Sequence, residues 1–161
     1  MTKIDLKGIE LPLNDGTTLA LDSVLSGPVL FVNVASKCGF TPQYAALEEL
    51  HKHYASQGLT VVALPSNQFK QELGTDAEVA EFCSLNYGVT FPVTKLVSVN
   101  GRGRHPLFAQ LTKATDPLGI GGPVLWNFEK FLWLPNGQVH RFRSVTSPSD
   151  PQITLKIAGA V

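Results

Sequence analysis

Residues 33–44 read Asn33-Val34-Ala35-Ser36-Lys37-Cys38-Gly39-Phe40-Thr41-Pro42-Gln43-Tyr44. The segment before them, residues 28–32, is short, apolar and rich in β-branched side chains, which is typical of a buried strand. Thr41-Pro42 is typical of a helix start, with threonine as the N-cap and proline in the first turn. Leu47 and Leu50 then share one face of the predicted helix. The sequence thus predicts a strand, a short loop that carries one cysteine, and a helix.

Cys38 is the candidate nucleophile of this loop. The thiolate is the reactive form of cysteine, and backbone amides at the start of a helix stabilise negative charge. Its neighbours Lys37 and Gly39 are not typical of a protein core, so we expect an open loop. The alternative is a structural cysteine, because cysteine is among the most buried residue types.

Length and composition are those of a globular protein. The 161 residues are 43% hydrophobic and 16% charged, and we expect one domain, residues 1–161. Lysine plus arginine equals aspartate plus glutamate at 13 each, so no net charge favours nucleic acid or anionic membranes. No apolar run has the length of a transmembrane helix, and residues 1–5 lack the apolar segment of a signal peptide, so we expect a cytoplasmic protein.

Alternating apolar and polar segments predict an α/β protein. Turn residues, capping residues and glycine or proline breaks separate the segments. Two apolar runs flank a helical segment, so they are predicted to be parallel strands of one sheet. In chain order, the predicted elements are a hairpin within residues 1–27, a βαβ unit over 28–64, a helix that starts at the capping box 75–78, a strand over 92–99, a helix over 106–113, a hairpin of 126–134 and 139–142, and a C-terminal helix from Asp150-Pro151.

This order of elements predicts a thioredoxin-like fold with an N-terminal β-hairpin and added helix and loop segments. The loops after its two parallel strands leave the sheet at the same edge, which is where ligands bind in open α/β sheets. Cys38 lies in the first of these loops, and the polar residues 65–72 form the second. We therefore expect the functional site at this edge.

Three separated blocks resemble the signature blocks of the glutathione peroxidases. They are Asn33-Val34-Ala35-Ser36-Lys37-Cys38-Gly39, Pro65-Ser66-Asn67-Gln68-Phe69 and Trp126-Asn127-Phe128. Further segments match bacterial members of the family in order and spacing, at residues 82–83, 86–92 and 146–148. The resemblance covers most of the chain, and it implies a thioredoxin-like fold and the reduction of hydroperoxides.

The resemblance also implies roles for single residues. Cys38 lies where the family has its peroxidatic cysteine or selenocysteine. Trp126 and Asn127 match the tryptophan and asparagine of the family's catalytic tetrad. Gln71 corresponds to the tetrad glutamine, although this chain is one residue shorter than the family pattern just before it, and Gln68 is the alternative.

Cys83 matches the resolving cysteine of thioredoxin-dependent members of the family. The resemblance thus implies a disulfide between Cys38 and Cys83 that thioredoxin reduces. Cys83 also shares an apolar helix face with Val79 and Phe82, so burial in the core is the other interpretation. Because a disulfide tolerates little separation of its Cα atoms, we expect the helix around Cys83 to unfold in part during resolution.

These residue types suit the reduction of a peroxide. When a thiolate attacks a peroxide oxygen, the O–O bond breaks and negative charge moves to the leaving oxygen. The indole of Trp126 is a donor only, and the amides of Gln71 and Asn127 each offer two N–H groups. Such donors stabilise the thiolate and then the oxyanion without adding a charge of their own. We predict no cofactor.

Two alternatives stay open from the sequence. In the first, glutathione reduces the oxidised Cys38 directly, and Lys37, Lys70 and Lys130 attract its carboxylates. In the second, the chain is a peroxide sensor that passes its oxidation to a partner protein. The sensor and the peroxidase begin with the same sulfenic acid, so the sequence would look the same in both cases.

The remaining charged residues predict no further site. His51 and His53 are too close on a helix to share a face. The other two histidines, His105 and His140, have no paired ligand nearby in sequence, so no metal site is predicted. The segment between residues 113 and 126 is short, and family members that form tetramers tend to carry longer insertions, so we expect a monomer. Four arginines are predicted to lie on solvated faces, namely Arg102, Arg104, Arg141 and Arg143.

Overall fold

The computed structural model describes residues 3–161, so the first two residues of the predicted hairpin region lie outside the described part. Two short strands, β1 and β2, form the N-terminal hairpin, and four more strands form the main sheet. In chain order, the elements are β1 (Glu10–Pro12), β2 (Thr18–Ala20), β3 (Val29–Val34), α1 (Gln43–Tyr54), β4 (Thr60–Pro65), α2 (Asp76–Tyr87), α3 (Pro106–Leu111), β5 (Lys130–Trp133), β6 (Val139–Phe142) and α4 (Pro151–Ala160).

The main sheet has the strand order β4-β3-β5-β6. Strand β3 pairs in parallel with β4 and antiparallel with β5, and β6 pairs antiparallel with β5. All six residues of β3 are buried, as expected for an apolar strand that is covered on both faces. This is the βαβ unit followed by a ββα unit that the sequence predicts for a thioredoxin-like fold.

Apolar side chains cover both faces of the sheet. On one face, alternate residues of β3, including Leu30 and Val32, pack with helices α1, α2 and α4. On the other face, Val29 and Phe31 pack with α3 and with the N-terminal segment around the hairpin. Because side chains alternate along a strand, each strand contributes to both clusters. The candidate cysteines Cys38 and Cys83 both belong to the first cluster.

The predicted strand over residues 92–99 is wrong. Instead of a regular strand, this segment makes isolated bridges, from Val93 to Ala63 of β4 and from Thr94 to Leu13 beside the hairpin. Pro92 has no amide to donate, and the backbone groups that follow bond partly to β4 and partly to the hairpin. Because its backbone hydrogen bonds are divided between two partners, the segment does not form a regular strand in either sheet.

The last predicted hairpin is shorter than expected. Its first strand was predicted from residue 126, whereas β5 begins at Lys130, and residues 126–129 form a loop. Within this loop Phe128 has φ of +62°, a left-handed conformation that is uncommon for a residue other than glycine. The loop leads directly into the sheet, so its residues sit at the edge where β5 starts.

The prediction of solvated arginines is wrong for Arg141 and Arg143. Arg141 is buried, and its guanidinium contacts the carboxylate of Glu129 at 3.0 Å. Arg143 reaches the same carboxylate at 2.8 Å and Asp116 at 3.0 Å. Arg141 also donates to the backbone carbonyls of Ala114, Gly122 and Pro123. Arg102 and Arg104 are exposed as predicted.

Candidate active site

Three segments of the chain meet at one edge of the sheet. The carboxyl ends of the parallel strands β3 and β4 lie at this edge, and antiparallel β5 begins there, because Lys130 pairs with Val32 near the end of β3. The loop with Cys38 follows β3, the loop with Gln71 follows β4, and the loop with Asn127 precedes β5. Residues distant in sequence are therefore neighbours in space.

The loop that carries Cys38 is closed around the sulfur. Cys38 is only 7% exposed, whereas its neighbours Lys37 and Gly39 are exposed. The expectation of an open loop is thus wrong at the cysteine itself. The backbone amide of Phe40 lies 3.4 Å from the sulfur and donates to it. The amide that faces the sulfur therefore comes from the turn before α1, which begins five residues after Cys38.

Thr41 holds this loop instead of capping the helix. Its hydroxyl accepts a hydrogen bond from the amide of Cys38 at 3.0 Å and donates to the carbonyl of Ala35 at 2.7 Å. Helix α1 starts at Gln43 without a side-chain cap, so the predicted capping role of Thr41 is wrong. The threonine hydroxyl instead fixes the backbone of the cysteine. Because helix caps use the same residue types, the sequence pattern does not distinguish the two roles.

The loop after β4 is bonded to the cysteine loop. The amide of Lys37 donates to the carbonyl of Gln71 at 2.8 Å. The amide of Ser36 donates to the carboxylate of Glu72 at 3.0 Å, and the same oxygen accepts from the amide of Leu73 at 2.8 Å. These bonds place the backbone of Gln71 beside the residue that precedes Cys38.

The side chain of Gln71, and not that of Gln68, contacts Asn127. The amide nitrogen of Asn127 lies 3.3 Å from the side-chain oxygen of Gln71 and donates to it. Gln68 bonds elsewhere, since its oxygen accepts from the amides of Val99 at 2.7 Å and Asn100 at 2.9 Å. Of the two glutamines left open by the sequence, Gln71 is the one beside a predicted site residue. Asn127 is fully buried, and its side-chain oxygen has no hydrogen-bond partner within residues 3–161.

Asn33 fixes the loop that carries Trp126 and Asn127. Its side chain donates to the carbonyl of Trp126 at 2.9 Å and accepts from the amide of Glu129 at 3.1 Å. Its backbone carbonyl accepts from the amide of Phe128 at 2.6 Å, which holds the unusual backbone of that residue. No role for Asn33 is predicted from the sequence, but a polar residue within a buried apolar strand requires such partners.

Trp126 lies at the surface of this edge. Its side chain is 36% exposed, and its ring packs on Phe69 with 5.3 Å between the ring centroids. The other tryptophan, Trp133, is buried and donates its indole N–H to the carbonyl of Ile4 at 3.0 Å. Trp133 is thus the tryptophan with a structural role in the core, and Trp126 is the one available to a ligand.

Cys83 lies in the middle of α2 and points into the core. It is 3% exposed, and Cys38 and Cys83 are both free thiols. Burial raises the pKa of the Cys83 thiol, the hydroxyl of Tyr44 lowers it, and the negative charge of Glu72 raises it further. Val79 and Cys83 are the fully buried residues of α2, and Phe82 and Tyr87, which are partly buried, pack on the same cluster.

The lysines proposed to attract glutathione are not equivalent. Lys37 and Lys70 are exposed, but Lys130 is fully buried and donates to the carbonyl of Ser144 at 2.9 Å. Burial lowers the pKa of Lys130 to about 7, and the negative charge of Glu129 opposes this shift. Lys130 is therefore no surface group that could attract a ligand carboxylate, and that part of the hypothesis is wrong.

The described residues 3–161 contain neither a metal-ligand cluster nor a membrane-spanning helix. Within residues 3–161, no three side chains of histidine, cysteine, aspartate or glutamate are grouped as metal ligands would be. Helices in this part of the chain are all too short or too polar to cross a membrane.

The fold and the cysteine loop define a protein of the thioredoxin-like class. The structure of a thioredoxin family thiol:disulfide interchange protein from Chlorobium tepidum superposes with a TM-score of 0.65 over 86% of this chain and 83% of its own. Its sequence is 16% identical, so this likeness shows the fold alone and confirms the predicted fold class.

Closer relatives identify the family. The sequence profile of the glutathione peroxidase family matches residues 8–112. The glutathione peroxidase-like peroxiredoxin HYR1 of Saccharomyces cerevisiae is 45% identical over 97% of this chain and 92% of its own length. The thioredoxin/glutathione peroxidase BtuE of Escherichia coli is 39% identical over 89% and 91%. The crystal structure of apo Trgpx is 34% identical, with a TM-score of 0.73 over 99% of this chain and 96% of that one.

The chain belongs to the glutathione peroxidase family, and the family resemblance seen in the sequence is confirmed. It is a peroxidase of thioredoxin-like fold.

Proposed function

We propose that Cys38 is the residue with which this thiol peroxidase attacks hydroperoxides. The observation that carries the proposal is the chain of contacts from the Cys38 loop to Gln71 and from Gln71 to Asn127. It supports a site in which a sulfur atom lies among uncharged N–H donors, with Trp126 at its exposed side. The substrates are hydrogen peroxide and organic hydroperoxides, including those of lipids.

The first step is a displacement at oxygen. The Cys38 thiolate attacks one peroxide oxygen, an S–O bond forms, the O–O bond breaks, and the leaving oxygen takes up a proton as water or alcohol. Cys38 becomes a sulfenic acid. The amide of Phe40 stabilises the thiolate before attack, and the amides of Gln71 and Asn127 and the indole of Trp126 stabilise the leaving oxyanion.

In the second step Cys83 resolves the sulfenic acid as an intramolecular disulfide. The Cys83 sulfur attacks the sulfur of Cys38, the S–S bond forms and water leaves. Because Cys83 is buried, α2 must unfold in part to bring the two sulfurs together. One observation supports this motion: Cys83 lines a cavity of about 260 Å³ beside Val89 and Val93, at the end of α2.

Thioredoxin then reduces the disulfide. The alternative reductant is glutathione acting directly on Cys38, and the E. coli relative is named for both reductants. The burial of Lys130 removes one of the three lysines proposed for glutathione, which favours thioredoxin. We further propose that the chain works as a single-domain monomer in the cytoplasm, where reduced thiols are maintained.

A peroxidase assay with three variants tests this function. Wild type, Cys38→Ser and Cys83→Ser are compared with hydrogen peroxide and an organic hydroperoxide, using either the thioredoxin system or glutathione as reductant. We expect turnover by wild type with thioredoxin, none by Cys38→Ser, and a single turnover by Cys83→Ser. Full turnover of Cys83→Ser with thioredoxin would contradict the resolving role, and full activity of Cys38→Ser would contradict the whole proposal.

A further inference from the structure

The carboxylate of Glu48 binds the segment that follows helix α2. Glu48 lies on α1 and is only 4% exposed. One of its oxygens accepts from the backbone amide of Thr90 at 2.8 Å, and the hydroxyl of Thr90 lies 2.9 Å and 2.7 Å from the two oxygens. We call these contacts the Glu48–Thr90 clamp. They join α1 to the chain just after α2, across 42 positions of sequence.

Thr90 supplies the donors that this buried carboxylate needs. Within residues 3–161, no ion pair includes Glu48, and the donors to its carboxylate are the amide and the hydroxyl of Thr90. A buried carboxylate without donors is costly, so the clamp favours the closed arrangement of this segment. Thr90 itself is exposed, and water can therefore replace the carboxylate as its partner when the clamp opens.

The backbone connects the clamp to Cys83. Gly88 follows α2 in the left-handed conformation, with φ of +57°. This turn lets the amide of Val89 donate to the carbonyl of Cys83 at 3.3 Å. Val89 precedes Thr90, so the residue that bonds to Cys83 is the direct neighbour of the residue in the clamp. While the clamp is closed, it therefore restrains the part of α2 that carries Cys83.

The other contacts of this end of α2 are limited. The ring of Tyr44, one turn before Glu48 on α1, packs on the ring of Tyr87 with 5.5 Å between the centroids. On the side of the N-terminal hairpin, Cys83 and Thr90 line the cavity of about 260 Å³ together with Leu13. Packing against the hairpin is thus incomplete, and the clamp is a polar contact of this end with α1.

The start of α2 is anchored independently of the clamp. The side chain of Thr75 accepts from the amide of Glu78 at 3.2 Å, which caps the helix. The carboxylate of Asp76 accepts from the amide of Leu96 at 2.7 Å. Opening of the clamp therefore releases the end of α2 that carries Cys83 and leaves the start of the helix in place.

We propose that the Glu48–Thr90 clamp holds the Cys83 end of α2 closed in the reduced protein, and that its opening controls how fast Cys83 reaches the oxidised Cys38. This inference rests on the proposed role of Cys83. Glu48 and Thr90 are positioning residues, because they act through the backbone next to Cys83 and not on the reacting sulfurs. The chemistry stays the same: one thiol and one sulfenic acid give one disulfide and one water. The clamp acts on the local unfolding that comes before this step.

Two substitutions weaken the clamp in different ways. Thr90→Val replaces the hydroxyl by a methyl group and keeps the backbone amide. Glu48→Ala removes the carboxylate, and alanine is the residue that best favours a helix, so α1 is retained. Disulfide formation after one equivalent of hydrogen peroxide is followed by rapid acid quench, alkylation and mass spectrometry. Oxidation of Cys38 is followed separately in a Cys83→Ser background, where the sulfenic acid persists.

We expect Thr90→Val to accelerate disulfide formation by about threefold to tenfold, as the loss of one hydrogen bond in the closed state implies. Glu48→Ala should accelerate it at least as much, because it removes all the contacts of the clamp. Both should leave the oxidation of Cys38 within about twofold. The double variant should be no faster than Glu48→Ala, since the valine then has no carboxylate contact left to remove. Additive effects of the two substitutions would overturn the inference.

Thr112→Val is the matched control. Thr112 is half-buried, and its hydroxyl donates to the carbonyl of Phe108 at 2.6 Å. Phe108 belongs to α3, which packs on the face of the sheet opposite to Cys83. This substitution thus removes a threonine hydrogen bond far from α2, and it should leave both steps unchanged. Equal acceleration by Thr112→Val and Thr90→Val would show a general loosening of the protein and would overturn the inference.

Hydrogen exchange of the reduced protein measures the opening without any oxidation. In Thr90→Val, the amides of residues 83–89 should exchange faster by about the factor by which disulfide formation accelerates. The amides of β3 should exchange as in wild type. Equal exchange of residues 83–89 in wild type and Thr90→Val would show that the clamp does not hold this segment, which contradicts the inference.

The outcomes separate this inference from the function on which it rests. If wild type forms no disulfide between Cys38 and Cys83, the resolving role fails and the inference fails with it. If wild type forms the disulfide and neither Thr90→Val nor Glu48→Ala accelerates it, only the inference is overturned. Slower disulfide formation in both variants would mean that the clamp orients Cys83 for attack, and this result would also overturn the inference.

Discussion

The side-chain amide of Asn127 donates to the side-chain oxygen of Gln71 over 3.3 Å, across 56 positions of sequence. This bond joins the loop before β5 to the loop after β4, and the backbone of Gln71 is in turn bonded to Lys37 beside Cys38. With its oxygen engaged, the amide nitrogen of Gln71 keeps both of its N–H groups for other acceptors. The side chains of Gln71 and Asn127 are thus oriented so that the amide of Gln71 has N–H donors free for a ligand.

Replacement of Gln71 tests whether these donors serve the reaction. We expect Gln71→Ala to lower the second-order rate constant for oxidation of Cys38 by about tenfold to a thousandfold, as removal of an oxyanion donor does. Stopped-flow measurement of a single oxidation gives this constant. Gln68→Ala is the control, because its side chain bonds to Val99 and Asn100, and it should leave the constant unchanged. The reverse pattern would assign the role to Gln68.

The position of the candidate site was predictable from the sequence, but the closure of its cysteine loop was not. Parallel strands followed by loops place Cys38 and Gln71 at one edge, and an antiparallel strand that begins there adds Asn127. The burial of Cys38 depends on Thr41, whose hydroxyl bonds to the cysteine loop and not to the helix. Both arrangements use the same residue types, so the pattern alone does not distinguish them.

The buried charges could not be predicted, because their partners are distant in sequence. The guanidinium donors of Arg141 bond to Glu129 and to carbonyls 18 to 27 residues away. The ammonium group of Lys130 donates to the carbonyl of Ser144. In the same way, residues 92–99 have the composition of a strand, but they divide their hydrogen bonds between two sheets. The spacing of apolar residues indicates one helix or strand at a time and gives no information on contacts between distant segments.

The two tryptophans provide a second prediction. Trp126→Phe keeps an aromatic ring on Phe69 but loses the indole N–H, and we expect oxidation of Cys38 to slow by about tenfold or more. Trp133→Phe loses the bond to Ile4 and part of a buried ring, and it should lower the free energy of unfolding by about 2–4 kcal/mol with no change in rate. Since the chain has two tryptophans, each variant retains one fluorophore. The emission of Trp126, and not that of Trp133, should change when peroxide is added.

The buried ion pair of Arg141 and Glu129 provides a third prediction, about stability. Arg141→Met leaves buried carbonyls without a donor and weakens the compensation of a buried carboxylate, so we expect a loss of about 3–5 kcal/mol in the free energy of unfolding. Urea unfolding measures this loss. Arg104→Met is the exposed control and should change the free energy by no more than about 0.5 kcal/mol. Equal effects of the two substitutions would contradict the structural role of Arg141.

Lys130 makes stability depend on pH in a defined range. Its pKa is lowered by burial to about 7 in the folded protein, from an ordinary value of 10.5. Between these values the unfolded chain binds more protons than the folded one, so the contribution of Lys130 makes the free energy of unfolding rise with pH. The slope is at most about 1.4 kcal/mol per pH unit, and the full destabilisation is present below pH 7.

Lys130→Met removes this contribution, so the stability of the variant relative to wild type should be greater at pH 6 than at pH 9. Lys95→Met, at an exposed position, should show the same difference from wild type at both pH values. If the difference for Lys130→Met is also independent of pH, the ammonium group has an ordinary pKa in the folded state and the bond to Ser144 compensates its burial.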